Sequence, residues 1–512
     1  MLKIPIECVA HVFQCLAGEI KFENLRDIMR AKGLTEFGRN SYYDILWLLY
    51  KEQKNIFKDY MENNRKRVLE FYRKRFNVTP DAEGKIDIAI SADGCYTKRS
   101  YKSVYNSRYC VTFIIECYTS IVIDLEVVEQ CQDKSHTDTS EYCSDGKFHG
   151  SSGLLEISAA KTLYKRSVTE EGWPFRYLIH VGDGDSAVGH HVCTANIYPG
   201  KKIVKEECIF HARKAVKKAI YGVLKEQYKL AHKADGSGIT FKKVFKKEEC
   251  KTYSIRFANL WYFILQKAVH ANNHGNSPEN ITYMSQSLKA IGRHYCDHKD
   301  ASLDDRLNNY HILCSADFCK FKQKTAEEQA TYQCKDHEFY VKQEDDKGNT
   351  ITECMDAIVK KFDELASEEK MARCTRLLNQ NANESIHNRT FGIVRKEKNF
   401  SYHHIVFAAN LAAHLQNDGH EHTMGRWMQW IDLYTPEMRQ HLVNKDNERK
   451  RSSSDHHQDK KKSHPKGKKV KDIDIKNVFY ESGRHFEDYT PEEVSEFDLI
   501  SDANIEMMNT ED

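Results

Sequence analysis

The sequence predicts an α/β protein with a mixed β-sheet, a long helical insertion, a helical N-terminal region and a disordered tail. Three observations support this fold class: apolar runs typical of strands between residues 86 and 181, helical periodicity on both sides of them, and a polar, charged composition beyond residue 445. The chain has 512 residues, 40% of them hydrophobic, so it is long enough for about three domains with cores of their own.

The N-terminal region, residues 1–84, is predicted to be helical. Large apolar residues recur there at near-helical spacing, with charged residues between them: Phe57, Tyr60, Met61, Val68, Phe71 and Tyr72. This pattern favours a helical bundle with a packed core over a DNA-reading module. No zinc-finger spacing precedes residue 90.

Four apolar segments predict the strands of the sheet: residues 86–92, 109–117, 120–128 and 175–181. The first three follow one another closely enough to form a meander. A predicted helix at about 154–166 separates them from the fourth, which favours a crossover into a parallel position. This is the strand order of an RNase H-like sheet, and residues 85–205 are therefore predicted to form the first part of such a core.

Three further segments complete the predicted domain organisation. Residues 206–375 predict an all-α insertion, and residues 376–444 predict the last helices of the core, at about 376–392 and 402–416. Residues 445–512 are too polar to offset the loss of chain entropy by burial, so a disordered tail, first basic and then acidic, is predicted.

The net charge of +2 conceals a strong partition of charge along the chain. Residues 201–250 contain 14 lysines and arginines against 6 acidic residues, and residues 445–471 contain 11 against 4. Residues 481–512 contain 1 against 11. Basic blocks followed by an acidic tail indicate a nucleic-acid partner, although solvated faces with a disordered end fit the charge alone equally well.

The sequence predicts an intracellular, nuclear protein with no membrane partner. No run of about 20 apolar residues and no secretory signal is visible, and the 16 cysteines are scattered, as in a chain with reduced thiols. Two basic clusters, at 449–451 and 460–469, are typical of a nuclear-import signal or a phosphate-binding tail, and a merely solvated tail fits them as well.

Three acidic residues are candidates for binding catalytic metal ions. Asp93 follows the first predicted strand, Asp183 ends the fourth, and Glu384 lies in a predicted helix. Carboxylates presented from strand ends and a covering helix hold two Mg²⁺ (or Mn²⁺) ions about 3.5–4 Å apart, which is the arrangement that supports phosphodiester displacement.

Each of these positions also has an ordinary interpretation. Asp93-Gly94 is a common turn sequence. Gly182 to Ser186 fits an Asx turn in which Asp185 caps a helix starting at about residue 187. Glu384 fits a surface position on a helix.

Five short segments argue against the ordinary interpretations. They are Asp93-Gly94-Cys95-Tyr96-Thr97-Lys98-Arg99, His149-Gly150-Ser151-Ser152-Gly153-Leu154-Leu155-Glu156, Gly182-Asp183-Gly184-Asp185-Ser186, Glu207-Cys208-Ile209-Phe210-His211 and Asn381-Ala382-Asn383-Glu384-Ser385. In this order they resemble the Mutator-like transposase domain of eukaryotic DNA transposons, over roughly residues 85–420. Each segment alone is a weak signal, whereas five in order are specific.

The resemblance implies an RNase H-like DDE catalytic core with Asp93, Asp183 and Glu384 as the triad. It also implies an all-α insertion between the second and third members. The implied reaction is Mg²⁺-dependent cleavage at transposon ends and strand transfer into target DNA. The implied partners are double-stranded DNA, namely terminal inverted repeats and target, and a second copy of the chain in a homodimer or higher oligomer. We prefer Asp183 to Asp185 because it lies nearer the strand end.

Auxiliary residues surround these carboxylates in the sequence. Cys208-x2-His211 resembles the Cys-x2-His signature that follows the second acidic residue in this family, and its alternatives are half of a zinc site or a buried Cys–His pair. His387 shares a helix face with Glu384, so it contacts the metal environment or a phosphate, or else faces solvent. Basic residues at helical spacing fit a DNA groove or a solvated helix face: Arg213, Lys214, Lys217 and Lys218.

Cysteine and histidine residues suggest zinc sites in two places. Four lie within nineteen residues after the third strand, and they either bind structural Zn²⁺ or are free thiols on a loop: Cys131, His136, Cys143 and His149. A second group lies in the insertion, where the sequence does not say which four would meet: Cys296, His298, His311, Cys314, Cys319, Cys334 and His337.

Three departures from the family leave the function open at this point. Tyr96 replaces a usual tryptophan and Ser100 a usual glycine, and a familiar N-terminal DNA reader is missing. The alternative to an active transposase is a domesticated, transposase-derived DNA-binding protein without transposition activity. A third interpretation is an RNase H-fold nuclease acting on RNA–DNA hybrids or single strands.

Overall fold

The structure is a computed structural model, and it consists of two compact units. It describes residue 12 and the ranges 22–31, 38–98, 107–133, 141–183, 187–231, 247–271, 276–297, 301–332, 343–344, 350–351, 353–394, 400–430 and 435–447. The first unit comprises Met1–His180, Ala187–Val204 and Gln380–Asp512, and the second comprises Val181–Ser186 and Lys205–Asn379.

Helices make up most of the described chain. In chain order they are α1 (Phe22–Ala31), α2 (Arg39–Phe76), α3 (Leu155–Thr169), α4 (Ala187–Thr194), α5 (Ile209–Ala231), α6 (Lys247–Ala271), α7 (Pro278–His294), α8 (Ala326–Ala330), α9 (Glu353–Leu365), α10 (Glu368–Met371), α11 (Asn381–Ile393) and α12 (Tyr402–Trp430). Shorter turns occupy Ser152–Leu154 (3₁₀), Leu303–Asp305 and Arg306–Tyr310, the last of them π-helical. Among the residues described, no helix is both long enough and apolar enough to cross a bilayer.

The strands form one five-stranded mixed sheet and one small ribbon. The strands are β1 (Ile86–Tyr96), β2 (Tyr109–Glu116), β3 (Val122–Glu129), β4 (Phe175–Gly182), β5 (Val204–Glu207), β6 (Gln343–Glu344) and β7 (Thr350–Ile351). The sheet has the order β3-β2-β1-β4-β5, and β1, β2 and β3 are antiparallel neighbours. The amide of Ile86 donates to the carbonyl of Pro174, so β1 and β4 begin side by side, as strands of a parallel pair do.

Helices cover both faces of the sheet in the first unit. Every residue of β2 is buried, which is typical of a strand that is covered on both sides. Ile114 packs into a cluster with Leu163 of α3, whereas its neighbour Phe113 packs into a second cluster with Ile386 of α11 and Ala409 of α12. Because successive side chains of a strand point to opposite faces, β2 anchors both layers.

The second unit is built mainly of helices α5, α6, α7 and α9, which pack against one another. Its interior contains Trp261, Leu265 and Leu288, and the rings of Phe257 and Phe362 pack at 5.5 Å with a tilt of 59°. The ribbon β6–β7 is also part of this unit. The prediction of an all-α segment was therefore wrong in this detail, because residues 343–344 and 350–351 pair as strands.

The predicted strands and helices are confirmed with changes at their ends. The helix predicted at about 154–166 is α3, the helix predicted to start near residue 187 is α4, and the first three strands form the predicted meander. The helix predicted at about 402–416 extends to Trp430 and is broken at Gly419, whose φ is 79°. The sequence did not predict β5, and His136, Asp185 and the tail beyond 447 lie outside the described residues.

A buried histidine makes the first unit sensitive to acid. His414 of α12 stacks on Tyr60 of α2, with ring centroids 3.5 Å apart, and it meets Phe57 edge to face. Burial, followed by the positive charges of Arg426 and His422, lowers the pKa of His414 to about 3. The unfolded chain binds this proton near pH 6.5, so the stability contributed by neutral His414 is present above that pH and is lost as the pH falls toward 3.

We expect His414→Phe to flatten the dependence of stability on pH below 6.5. The variant keeps an aromatic ring against Tyr60 but binds no proton. The free energy of unfolding should therefore no longer fall by the roughly 1.4 kcal/mol per pH unit that one such group contributes. Urea unfolding between pH 4.5 and 7.5 measures this slope. Equal slopes in the variant and the wild type would contradict the assignment.

Candidate active site

Asp93 lies within β1, not after its end. The strand continues through Asp93 and Gly94 to Tyr96, and Asp93 pairs with Phe113 of β2 while Gly94 pairs with Thr112. The sequence-based position of Asp93 at a strand end was therefore wrong, and so was the alternative of a turn at Asp93-Gly94. The side chain of Asp93 is 35% exposed, so its carboxylate is accessible from a strand in the middle of the sheet.

Gly94 allows a second carboxylate to approach β1. The Gly94 amide donates to Oε1 of Glu156 at 3.1 Å, and the Tyr96 hydroxyl donates to Oε2 at 3.4 Å. A Cβ at position 94 would lie 2.4 Å from Cγ of Glu156 and 3.0 Å from Sγ of Cys110, so only glycine leaves room for this side chain. Sequence reasoning did not select Glu156 as a site residue, although it belongs to one of the five family-like segments, which is the signal that pointed to it.

Helix α11 connects the position of Glu384 to that of Asp93. The helix packs against β1 and β2, with Glu384 exposed in its first turn. One turn further, the Nε2–H of His387 donates to the backbone carbonyl of Asp93 at 3.3 Å, and Nδ1 lies 3.9 Å from Oδ2 of Asp93. The side chain of His387 is only 13% exposed, which excludes the alternative of a solvent-facing histidine.

Asp183 follows β4 directly and contacts the Cys-x2-His segment. Nδ1 of His211, in the first turn of α5, lies 2.7 Å from Oδ1 of Asp183. The hydrogen bond with Asp183, followed by the one with buried Cys208, raises the pKa of His211 to about 10, so the ring is protonated and pairs with the carboxylate at neutral pH. The backbone supports this arrangement, because the Cys208 amide donates to the carbonyl of Gly182 at 3.1 Å.

The basic residues of α5 differ in their surroundings. Lys214 and Lys218, four residues apart and therefore on one face, are exposed, and Lys217 is half-buried. Arg213 donates to Oδ1 of Asn259 on α6. Arg213 thus contacts a neighbouring helix of the second unit, and the side chains of Lys214 and Lys218 are exposed to solvent.

Three of the four cysteines and histidines after β3 lie together. One ligand atom from each of Cys131, Cys143 and His149 falls within 4.8 Å of the others. Backbone hydrogen bonds position these residues. The amide of Cys131 donates to the carbonyl of Phe148, and the amide of Cys143 donates to the carbonyl of Lys147. These three side chains form a group that is able to hold a metal ion; His136, the fourth residue predicted, lies outside the described residues.

The acidic residues predicted from the sequence lie on a mixed sheet and on a helix that packs against it. Asp93 is accessible in the central strand β1, Glu384 is exposed on α11, and Asp183 directly follows β4. A sequence model of the Mutator-like transposase family matches residues 21–319, more than half of the chain. The chain belongs to the Mutator-like transposase family, as the five segments indicated.

Membership in this family implies a transposase-type function with DNA as partner and divalent metal ions as cofactors. No curated protein and no solved structure matches the chain.

Proposed function

We propose that the protein is a DDE transposase that cleaves DNA strands at transposon ends and transfers them into target DNA. Asp93, Asp183 and Glu384 form the catalytic triad of this proposal. The observation that carries it is the contact of His387 with Asp93, because it fixes the helix of Glu384 on the strand of Asp93. The strand order supports the inclusion of Asp183, since β4, which ends directly before it, is the neighbour of β1.

The donor set fits a hard divalent cation. All three proposed ligands are carboxylates, which Mg²⁺ and Mn²⁺ prefer, and all three are partly or fully exposed. By contrast, Glu116 of the same sheet is fully buried and accepts hydrogen bonds from Tyr72 and Thr119, so its oxygens serve the fold. Two Mg²⁺ ions bound to the triad would supply activation of a water or a 3′-hydroxyl and stabilisation of the leaving oxygen.

The neighbouring residues position the triad. We infer that His387 fixes the distance between α11 and β1 through the Asp93 carbonyl, and that His211 orients the Asp183 carboxylate through its 2.7 Å contact. Removing a side chain that hydrogen-bonds to a metal ligand usually lowers metal affinity or activity 10- to 100-fold.

We propose further that the sheet is RNase H-like and that residues 206–375 are inserted into it between the second and third acidic residues. The order β3-β2-β1-β4-β5, with β1 to β3 antiparallel, supports this assignment. A nuclear location and a homodimer or higher oligomer belong to the same proposal. They rest on the basic clusters of the sequence and on the need of such reactions to pair two DNA ends.

The cleavage reaction itself tests the proposal. The full chain is incubated with Mg²⁺ and DNA that carries the inverted repeats flanking its gene, and nicks and strand-transfer products are mapped. Nicking at the repeat ends, abolished by EDTA, is the expected result. Tight DNA binding without cleavage would instead support a domesticated DNA-binding protein, and cleavage confined to RNA–DNA hybrids or single strands would support an RNase H-type nuclease.

The exposed lysines of α5 provide a prediction about DNA binding. Reversing both charges, Lys214→Glu with Lys218→Glu, is expected to weaken binding to all sequences alike and to reduce the slope of log K against log salt by about 2, because two phosphate contacts are lost. Fluorescence anisotropy between 50 and 200 mM salt (roughly the range in which such contacts are resolved) measures it. Lys58→Glu with Lys66→Glu, two exposed residues of α2, makes the same charge change and should leave the slope intact.

Structural Zn²⁺ at Cys131, Cys143 and His149 remains part of the proposal. Two thiolates and an imidazole are ligands that zinc prefers, and a fourth ligand completes a tetrahedron. His136 is the residue that the sequence offers for that position.

A further inference from the structure

A second group of cysteines and histidines lies inside the helical unit. It consists of His294, the last residue of α7, together with His311, Cys314 and Cys319 from the segment that follows. Two of the four, His311 and Cys319, are almost completely buried. All four belong to the second unit, so the group does not depend on how the two units are arranged.

The distances from each histidine Nδ1 to the other three ligand atoms are close to those of a tetrahedral zinc site. Bonds of about 2.05 Å to nitrogen and 2.3 Å to sulfur give edges of about 3.3 Å between two nitrogens and about 3.6 Å between nitrogen and sulfur. The Nδ1 atoms of His294 and His311 are 3.2 Å apart. Sγ of Cys314 lies 3.7 and 3.6 Å from these nitrogens, and Sγ of Cys319 lies 3.9 and 3.4 Å from them.

The surroundings of His311 provide the outer support that zinc-binding histidines usually have. Nε2 of His311 lies 2.9 Å from Oδ2 of Asp297, and the other oxygen of Asp297 accepts from Nε of Arg306 at 3.0 Å. A carboxylate on Nε2 keeps the proton on that nitrogen and leaves Nδ1 free to bind a metal. The ring also stacks on Phe321 at 4.5 Å, which fixes its orientation.

The segment that carries the ligands has few buried apolar residues. Of the described residues from 295 to 332, only Cys319 and Phe321 are buried apolar residues, and the longest regular elements are single turns. The other buried side chains of this segment are polar: Asp297, Arg306 and His311. A segment with so few apolar contacts is typically stabilised by a crosslink such as a disulfide or a metal ion.

We propose that His294, His311, Cys314 and Cys319 bind one structural Zn²⁺ ion, with Asp297 as the positioning residue of His311. The ion ties residues 301–332 to the end of α7 and stabilises the second unit. A closed set of four protein ligands leaves no position for water or substrate, so the site has a structural and not a catalytic role. This inference goes beyond the proposed function, because it holds whether or not the protein cleaves DNA.

Metal content of the purified full chain tests the site. Zinc per protein is measured by mass spectrometry for the wild type, for Cys314→Ser and for Cys319→Ser, and each variant is expected to contain one equivalent less than the wild type. Cys296→Ser is the matched control, since Sγ of Cys296 donates to the carbonyl of Gly292 at 3.3 Å and is not part of the group. Cys143→Ser reports separately on the other proposed zinc site.

Two further measurements keep the test decisive if a serine variant does not fold. Wild-type protein reconstituted with Co²⁺ should show the visible absorption of tetrahedral cobalt bound to two thiolates. Asp297→Asn, which keeps all four ligands, should weaken zinc binding 10- to 100-fold. A wild type and a Cys319→Ser variant with equal zinc content, or a disulfide between Cys314 and Cys319 in the native protein, would overturn the proposal.

Discussion

Asp93→Asn is expected to reduce Mg²⁺-dependent strand cleavage by at least about 10³-fold while leaving the folded structure and DNA binding intact. Asparagine keeps the size of the side chain but removes the charge that a pair of metal ions requires, and contributions of this kind are typically large. The backbone carbonyl of Asp93, which accepts from His387 at 3.3 Å, is unchanged by the substitution. Initial rates of nicking on DNA with the flanking repeats give the comparison.

The control for this experiment is a carboxylate outside the proposed site. Glu327→Gln, at an exposed position of α8, should cleave at the wild-type rate. Asp183→Asn and Glu384→Gln should lose activity as Asp93→Asn does. Asp185→Asn should retain it, which decides between the two aspartates that follow β4. Unchanged nicking by Asp93→Asn would refute the assignment of the triad.

Arg166→Met is expected to cause the largest loss of stability, about 3–5 kcal/mol, because it removes the cation that bonds to the buried carboxylate of Asp124. Arg166 of α3 bonds to Asp124 at 2.6 Å and also to Glu126, two residues that point to the same face of β3. Burial raises the pKa of Asp124 to about 6 even with Arg166 present. Without the cation, the charged carboxylate would be destabilised further.

The loss should depend on pH in a defined direction. A carboxyl group whose pKa is raised in the folded protein destabilises the fold as the pH rises through that pKa. The difference in free energy of unfolding between wild type and Arg166→Met should therefore be larger at pH 8 than at pH 5. Chemical unfolding at both pH values measures it. Lys161→Met, on the same helix as Arg166, removes an ion pair with Glu141 in which the two side chains are 42% and 47% exposed, and it should cost no more than about 1 kcal/mol. Equal losses for both variants would contradict the role of burial.

The long apolar strands were predicted correctly from the sequence. The prediction failed for the end of β1 and for β5, because contacts with distant parts of the chain determine both. Asp93-Gly94 looks like a turn, yet pairing with Phe113 and Thr112 and the contact of Glu156 with Gly94 carry β1 onward to Tyr96. Strand β5 has only four residues, two of them glutamates, and no periodicity reveals it. The Glu207 amide donates a hydrogen bond to the carbonyl of Arg373, which lies more than 160 residues away in the chain.

The same limit applies to the sites. The five segments identified the family and selected the three carboxylates of the proposed triad, because those signals are local. The zinc group of the insertion was only partly found: His311, Cys314 and Cys319 were among the candidates, but His294 was not. It lies 17 residues before His311 at the end of a helix, and only the packing of the segment brings the two rings to 3.2 Å.

In the proposed active site, three carboxylates share a pair of metal ions: one within β1, one directly after the neighbouring strand β4, and one on a covering helix. Anomalous diffraction from crystals of the full chain grown with Mn²⁺ and a DNA end tests it most directly. We predict two peaks about 3.5–4 Å apart, with oxygens of Asp93, Asp183 and Glu384 within about 2.0–2.4 Å of one or both. Ions bound elsewhere, or a Glu384 carboxylate that reaches neither peak, would contradict the claim.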